Sequence, residues 1–275
     1  MIVFGTAGIP VQAKKGTVLE GLLKVKELGL GAMELEFVHG VNLTADKAME
    51  VKFLNKKLGL VLSCHGPYYI SLISKEKHKR KNSHRMLLDS ARALHVCGGG
   101  ALIFHAGFYG EMNKQKAFEE MKIELLALRD SIKEEALKIE LRPEVTGKHS
   151  AWGSLEELMQ LFNETGLKYC IDFSHIHART NGGLDTEKQW RELFKSIEAA
   201  NGKKVFKDLH CHMQGVEYTE KGERAHQSLD SDSPPVQPFI KLLVEYDCSG
   251  TVISESPILE SDALLMKKLY ERELK

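Results

Sequence analysis

The stretch KYCIDFSH, residues 168–175, places two polar side chains at the end of an apolar run. Cys170 and Ile171 suit a buried strand, yet Asp172 and His175 follow within a few residues. Burying a carboxylate or an imidazole costs free energy unless the group is paired, hydrogen-bonded or bound to a metal. The stretch therefore predicts a buried strand that ends in functional polar side chains, and the same pattern recurs along the chain.

Eight short apolar or β-branched runs of this kind divide the chain, and segments with helical spacing separate them. The runs are IVFG (2–5), AMELEFV (32–38), LVLSCH (60–65), ALIFHAG (101–107), KIELRPE (138–144), KYCIDFSH (168–175), VFKDLHCHMQ (205–214) and TVISESP (251–257). In segment 16–31, Val18, Leu22 and Val25 fall near one helix face, and Gly29 follows as a C-cap would. Segment 44–59 repeats the form between Thr44 and Gly59.

Strand and helix alternate eight times, which is typical of an α/β fold of the (β/α)8 TIM-barrel type. No linker or change of composition divides the chain, so residues 1–275 are predicted to form a single catalytic domain. A doubly wound open sheet is the alternative. The eight units favour the closed barrel, and no GxGxxG sequence follows the first run.

The composition is that of an ordinary globular protein, with 43% hydrophobic and 28% charged residues. The 38 basic and 38 acidic side chains cancel, so no overall positive field indicates a nucleic-acid partner. Five cysteines without a CxxC pair indicate reduced, buried thiols in an intracellular, cytoplasmic protein. No apolar run is long enough for a membrane span, and no secretory signal is visible at the start.

Ligand-type side chains end six consecutive runs, from the third to the eighth. They are His65, His105, Glu144, Asp172 with His175, His210 with His212, and Glu255. In a TIM barrel the C-terminal strand ends meet at one mouth and carry the active site. Any one of these residues alone suits a structural hydrogen bond or a loop cap, but their convergence would create repulsion and desolvation costs.

Divalent metal ions would resolve those costs. Nitrogen and oxygen ligands without thiolates suit zinc or manganese, and a histidine-rich set favours zinc. Glu144, near the middle of the ring, is positioned to bridge two ions. After the seventh run, Glu223 and His226 lie in a polar segment that we expect to be a loop, and this loop could complete a third site with His175.

Several segments together resemble the endonuclease IV family of apurinic/apyrimidinic (AP) endonucleases, within the xylose isomerase-like barrel superfamily. CHGPYYISL resembles the family's His-x-x-Tyr-x-x-Asn-Leu segment with Ser71 in place of Asn, and FHAG resembles His-Pro-Gly with Ala106 in place of Pro. RPEVTGKHSAWGSLEEL, CIDFSHIHA and ISESP resemble the Glu-Asn-Thr-Ala-Gly, Ile-Asp-Thr-Cys-His and Leu-Glu-Thr-Pro segments. The matches span nearly the whole chain.

The resemblance implies a zinc-dependent enzyme with two or three ions that hydrolyses the DNA backbone 5′ to abasic sites, without an organic cofactor. The implied ligand groups are His65, His105 and Glu144; Glu144, Asp172, His212 and Glu255; and His175 with His226. HMQG matches the family's His-Leu-Asn-Asp better than HCHM does, which favours His212 over His210. The family's third-site Asp is replaced by Arg224, so Glu223 is the shifted substitute.

The expected partner is double-stranded DNA with abasic sites, bound by a monomer. The basic stretch SKEKHKRKNSHR (74–85) includes Lys79, Arg80 and Lys81 and is interpreted as a phosphate-binding loop on the catalytic face. A solvated helix start is the structural alternative. Tyr68 and Tyr69 are interpreted as stacking or wedge residues.

Four charged residues occupy strand positions whose side chains alternate into the barrel interior, and they are interpreted as a structural ionic layer. They are Glu34, Glu36, Glu140 and Arg142.

Two competing functions remain open. A metal-dependent sugar isomerase or epimerase of the same superfamily would use one metal, manganese among the candidates, held mainly by carboxylates. A DNA-binding protein that has lost catalysis is the other. The count of bound metal ions separates the first alternative from the nuclease, and binding without turnover would indicate the second.

Overall fold

The computed structural model describes residues 1–275 and contains ten strands and nine α-helices. The strands are β1 (Ile2–Ala7), β2 (Ala32–Glu36), β3 (Val61–His65), β4 (Ala101–Phe104), β5 (Glu140–Pro143), β6 (Ile171–Asp172), β7 (Leu209–His212), β8 (Gly215–Thr219), β9 (Gly222–Gln227) and β10 (Gly250–Ser254). The helices are α1 (Val18–Glu27), α2 (Ala45–Leu58), α3 (Lys77–Cys97), α4 (Lys114–Glu134), α5 (Leu155–Thr165), α6 (Phe173–Arg179), α7 (Glu187–Asn201), α8 (Val236–Glu245) and α9 (Glu260–Glu273).

Eight strands form one parallel sheet in the order β5-β4-β3-β2-β1-β10-β7-β6. Its two outer strands meet, because the Cys170 amide donates to the Pro143 carbonyl at 3.0 Å and the Val145 amide donates to the Cys170 carbonyl at 3.1 Å. These bonds close the sheet into a ring. The predicted (β/α)8 barrel is therefore confirmed.

Local signals explain where several helices begin and end. The Thr44 hydroxyl caps α2, and Gly59 ends this helix with a φ of 68°, in the left-handed region that suits glycine. Ser154 and Glu157 form a capping box at the start of α5. None of the nine helices combines the length and the apolar character that a membrane span requires.

The structure differs from the sequence-based expectations in three places. The segment after β7 is an antiparallel hairpin, β8–β9, where a loop was expected. Helix α3 begins at Lys77, so the basic stretch is largely helical and the predicted basic loop is wrong. The short helix α6 begins directly after β6 and precedes the expected helix α7.

The hydrophobic core lies between the barrel and its helices. Phe173 opens α6 at 1% exposure, and its ring lies 4.9 Å from Phe239, 5.4 Å from Trp190 and 5.7 Å from Phe194. This aromatic group anchors the segment that follows Asp172. All five cysteines are buried and free, as the sequence predicted.

The predicted ionic layer is wrong as one unit, because its members separate along the barrel axis. Arg142 donates to Glu140 at 2.8 Å and to Asp208 at 3.0 Å near the N-terminal ends of the strands. Glu34 is fully buried higher in the barrel, whereas Glu36 is exposed at the mouth. Shared inward parity does not place side chains at the same height when neighbouring strands are staggered.

Candidate metal centre

The predicted ligand residues meet at the C-terminal mouth of the barrel. Three groups each bring their ligand atoms within 4.8 Å of one another: His65, His105 and Glu144; Glu144, Asp172, His212 and Glu255; and His175, Glu223 and His226. A cavity of about 310 Å³ opens over them, and ligand-type residues and Tyr68 line it. The groups therefore adjoin one another in a single pocket.

Glu144 links the first two groups. Its Oε2 atom lies 3.0 Å from Nε2 of both His65 and His105, and its Oε1 atom lies 3.0 Å from Nδ1 of His212. Burial by itself would raise the pKa of Glu144, but the adjacent His105 and His212 hold its pKa well below the usual range. The carboxylate is thus charged and faces imidazoles on two sides.

The stretch that ends β6 contributes to two groups through a tight strand-to-helix transition. Asp172 is the N-cap of α6, and its Oδ1 atom accepts from the His175 amide at 2.6 Å. Its Oδ2 atom accepts from Nε2 of Gln214 at 2.8 Å. Because the helix begins immediately, His175 lies one turn beyond Asp172 and faces the neighbouring group.

The third group depends on a close approach between the hairpin and the loop after β5. The Glu223 amide donates to the Gly147 carbonyl at 3.1 Å. A Cβ atom on Gly147 would lie 2.7 Å from Cβ of Glu223 and 3.0 Å from Cδ2 of His175, so glycine is required. Glu223 consequently reaches within 3.3 Å of His175 and 3.4 Å of His226. Gly147 is a contributor that the sequence patterns did not identify.

Hydrogen bonds to the backbone orient three of the histidines. A carbonyl oxygen can only accept, so each Nδ1 atom that faces one carries a proton, and Nε2 is the nitrogen that can bind a metal ion once it is deprotonated. These pairs are His65 with Gly66 at 2.8 Å, His175 with Val145 at 2.9 Å, and His226 with Glu255 at 3.2 Å. Second hydrogen bonds of this kind are typical of metal-ligating histidines.

The unpartnered atoms of the site also fit metal ions. Nε2 of His105 and Nε2 of His175 are buried and have no hydrogen-bonding partner of suitable geometry. Buried polar atoms without a partner are uncommon in folded proteins. A divalent ion in each group would give these nitrogen atoms a ligand bond and would balance the surrounding carboxylates.

The carboxylates of the site raise the pKa values of neighbouring histidines. Burial would lower the pKa of His65, but Glu144 outweighs it and raises that pKa to about 10. Burial likewise opposes the shift at His226, whose pKa is raised to about 9 mainly by Glu223. A metal ion that binds these histidines would have to displace their protons.

His210 and His212 share a strand face, but they occupy different levels. His212 lies in the second group, with Nδ1 3.3 Å from Oε1 of Glu255. His210 lies below and places Nε2 2.8 Å from Oε2 of Glu34. A further buried group comprises Cys170, His210 and His212.

The residues predicted to bind DNA fall into two classes. Tyr68 and Tyr69 follow β3 with 57% and 70% exposure, and the Tyr68 ring lies 6.0 Å from that of His65. Lys79, Arg80 and Lys81 instead lie in the first turns of α3. Arg80 pairs with Glu120 at 2.8 Å and with Glu124 at 3.3 Å, and Lys79 pairs with Glu76.

Comparison with known proteins shows similarity in family and in sequence. Residues 22–271 match the family model of the xylose isomerase-like TIM barrel. The uncharacterized protein MJ0133 of Methanocaldococcus jannaschii is 38% identical over 270 residues, which cover 98% of this chain and 97% of that protein. A probable endonuclease 4 of Methanosphaera stadtmanae is 25% identical over 157 residues, or 55% of each chain.

Solved structures share the fold. Endonuclease IV of Thermus thermophilus superimposes with a TM-score of 0.75 at 18% identity and covers 99% of this chain and 98% of its own. A D-tagatose 3-epimerase-like protein gives a TM-score of 0.66 at 15% identity, over 98% and 97% of the two chains. At these identities the similarity concerns the fold alone. From the family match over most of its length, the chain belongs to the xylose isomerase-like TIM barrel family.

Proposed function

We propose that this protein is a metal-dependent phosphodiesterase of the endonuclease IV type, which cleaves the DNA backbone 5′ to abasic sites with two or three zinc ions. The observation that carries the proposal is the set of three adjoining ligand groups at the mouth of the barrel. Phosphodiester hydrolysis uses such adjoining positions, since both the attacking and the leaving oxygen need stabilisation.

The side chains have separate tasks in this proposal. Zinc ions would supply Lewis acidity and activate water near neutral pH. Glu144 would be shared by the first two ions, and it lies 3.0 Å from His65 and from His212. Glu223 would complete the third group in place of the Asp that the resemblance led us to expect, because it lies between His175 and His226.

Substrate contacts would come from the rim of the pocket. Tyr68 borders both the centre and a neighbouring cavity of about 280 Å³, which Phe108 and Lys148 also line. The exposed Tyr68 and Tyr69 rings offer stacking surfaces beside the ligand groups. Among Lys79, Arg80 and Lys81, Lys81 forms no ion pair, whereas Lys79 and Arg80 are paired with glutamates.

The sugar epimerase alternative rests on the shared fold, and the ligand set favours hydrolysis over it. Such an enzyme would need one metal, whereas this chain gathers ligand atoms into three groups that include five histidines. An EDTA-treated sample reconstituted with zinc should therefore bind two or three equivalents.

The decisive experiment incubates the protein with a duplex that contains one abasic analogue and with a matched intact duplex. Zinc-dependent, EDTA-sensitive nicking on the 5′ side of the analogue is expected, with the intact duplex left uncut. Absence of nicking with every divalent metal tested, from a sample that binds zinc, would refute the proposed function. Binding of the analogue without cleavage would indicate a non-catalytic DNA-binding protein.

A further inference from the structure

Among the histidines of the centre, His212 has an unusual second partner. His65, His175 and His226 each direct Nδ1 to a backbone carbonyl. His212 presents Nδ1 to the second ligand group and directs Nε2 into the barrel interior. There Nε2 lies 3.0 Å from Oε1 of Glu34, an ion-pair distance, and both atoms are buried without a hydrogen bond of suitable geometry to any partner.

Glu34 is itself firmly held. It comes from β2, on another side of the barrel from β7, and it is 0% exposed. Its Oε2 atom accepts from the Ser63 hydroxyl at 2.6 Å and lies 2.8 Å from Nε2 of His210. With Oε2 bound by these two groups, Oε1 is the free oxygen that faces Nε2 of His212.

We propose that Glu34 is the positioning residue for His212, and that Ser63 and His210 hold Glu34 in place for this purpose. This role of Glu34 rests on the metal centre of the proposed function, and it places a carboxylate beneath the metal ligands. Nδ1 of His212 forms a hydrogen bond of 3.0 Å with Glu144, where Asp172 and Glu255 also converge. A metal ion in this group would take the place of that proton on Nδ1, and the proton on Nε2 would then be stabilised by Oε1 of Glu34. A carboxylate partner also makes the imidazole a stronger ligand than a carbonyl partner does.

Glu34 touches neither the first nor the third group, so its effect should be selective. Chelator competition on wild type and Glu34→Gln should show a loss of affinity for one zinc equivalent, about 10- to 100-fold. The remaining equivalents should keep their affinity. With Co²⁺ as probe, the visible absorption of that same equivalent should change, since its nitrogen ligand is altered.

Glu140→Gln is the matched control, because Glu140 is a partly exposed carboxylate at the opposite end of the barrel. It should bind every equivalent as the wild type does. If circular dichroism shows that Glu34→Gln does not fold, the Ser63→Ala variant replaces it in the affinity measurement. That variant removes one hydrogen bond to Glu34 and should weaken the same equivalent about two- to tenfold.

The outcomes separate this inference from the proposed function. Wild-type affinities in the folded Glu34→Gln protein, or in Ser63→Ala when that variant decides, would overturn the role of Glu34, even if abasic DNA is cleaved. An equal loss of all equivalents would also overturn it, because the effect would then be structural. Loss of one equivalent in a protein that cleaves no abasic DNA would uphold Glu34 and refute the nuclease. A wild type that binds no zinc would overturn both.

Discussion

Substitution of Glu144 by glutamine should weaken zinc binding at two ligand groups to different extents. Glu144 is the single carboxylate in the group with His65 and His105, whereas the group with His212 also contains Asp172 and Glu255. An amide keeps the volume of the side chain but removes its charge and one of its two acceptor atoms. The first group would then contain neutral ligands only.

The size of the effect follows from burial. Glu144 is 1% exposed, so water cannot replace the lost carboxylate. Removal of one partner from a buried charge pair costs about 3–5 kcal/mol, which corresponds to about 10²- to 10⁴-fold in affinity. We expect a loss of this order for one zinc equivalent and a smaller loss for a second, whose remaining carboxylates still supply negative charge.

Two assays test this expectation. Chelator competition measures each zinc equivalent, and nicking of an abasic duplex should fall to the background. In the metal-free protein, NMR titration should show the pKa of His65 falling from about 10, because Glu144 is the main group that raises it and burial opposes it. Glu140→Gln, at the start of the strand β5 that Glu144 follows, should change neither measurement.

A folded Glu144→Gln protein that retains wild-type zinc affinity and activity would refute the role of Glu144 in both ligand groups. A pKa of His65 that stays near its wild-type value would likewise show that Glu144 does not face this ring in solution. Equal weakening of the two equivalents would contradict the specific assignment of Glu144 as the only charge in the first group.

Three further predictions concern the scaffold. Phe173→Ala should destabilise the protein by about 3–5 kcal/mol in urea unfolding, since its buried ring anchors α6, and a change below about 1 kcal/mol would contradict this packing. Arg80→Ala should leave the salt dependence of DNA affinity unchanged, because Glu120 already neutralises Arg80, so a flatter slope would place Arg80 at the interface. Burial would raise the pKa of Asp208, but Lys168 and Arg142 hold it below the usual value. The stability that this carboxylate contributes is therefore present above its unfolded pKa of about 3.9 and is lost as the pH falls through its lower folded pKa. Asp208→Asn should therefore lower the free energy of unfolding at pH 7 and lower it much less in strong acid. Urea unfolding at both pH values measures this difference.

Local patterns in the sequence predicted the parts of this protein that depend on near neighbours. Strand and helix alternation indicated the barrel, and the caps at Thr44 and Gly59 were correctly identified. The tip positions of Glu144, Asp172 and Glu255 also followed, because the carboxyl ends of parallel strands meet at one face. These inferences need only side-chain periodicity and chain direction.

Interactions across the barrel were decided by the tertiary structure. The sequence placed Glu34 in a structural ionic layer with Arg142, yet the stagger of the strands brings it to His212 and sends Arg142 to Asp208. The basic segment of α3 was interpreted as a phosphate-binding loop, and a run of lysines and arginines does not reveal whether acidic partners lie opposite. Glu120 and Glu124 supply those partners from α4.

The sequence by itself thus determined which chemical groups stand at the strand ends, since alternation along a strand is a local property. Only the tertiary structure decided which nitrogen of each imidazole faces the pocket and how Glu223 reaches His175 past Gly147. Those outcomes depend on ångström-scale distances between strands and loops far apart in the chain, which barrel closure and strand stagger set together.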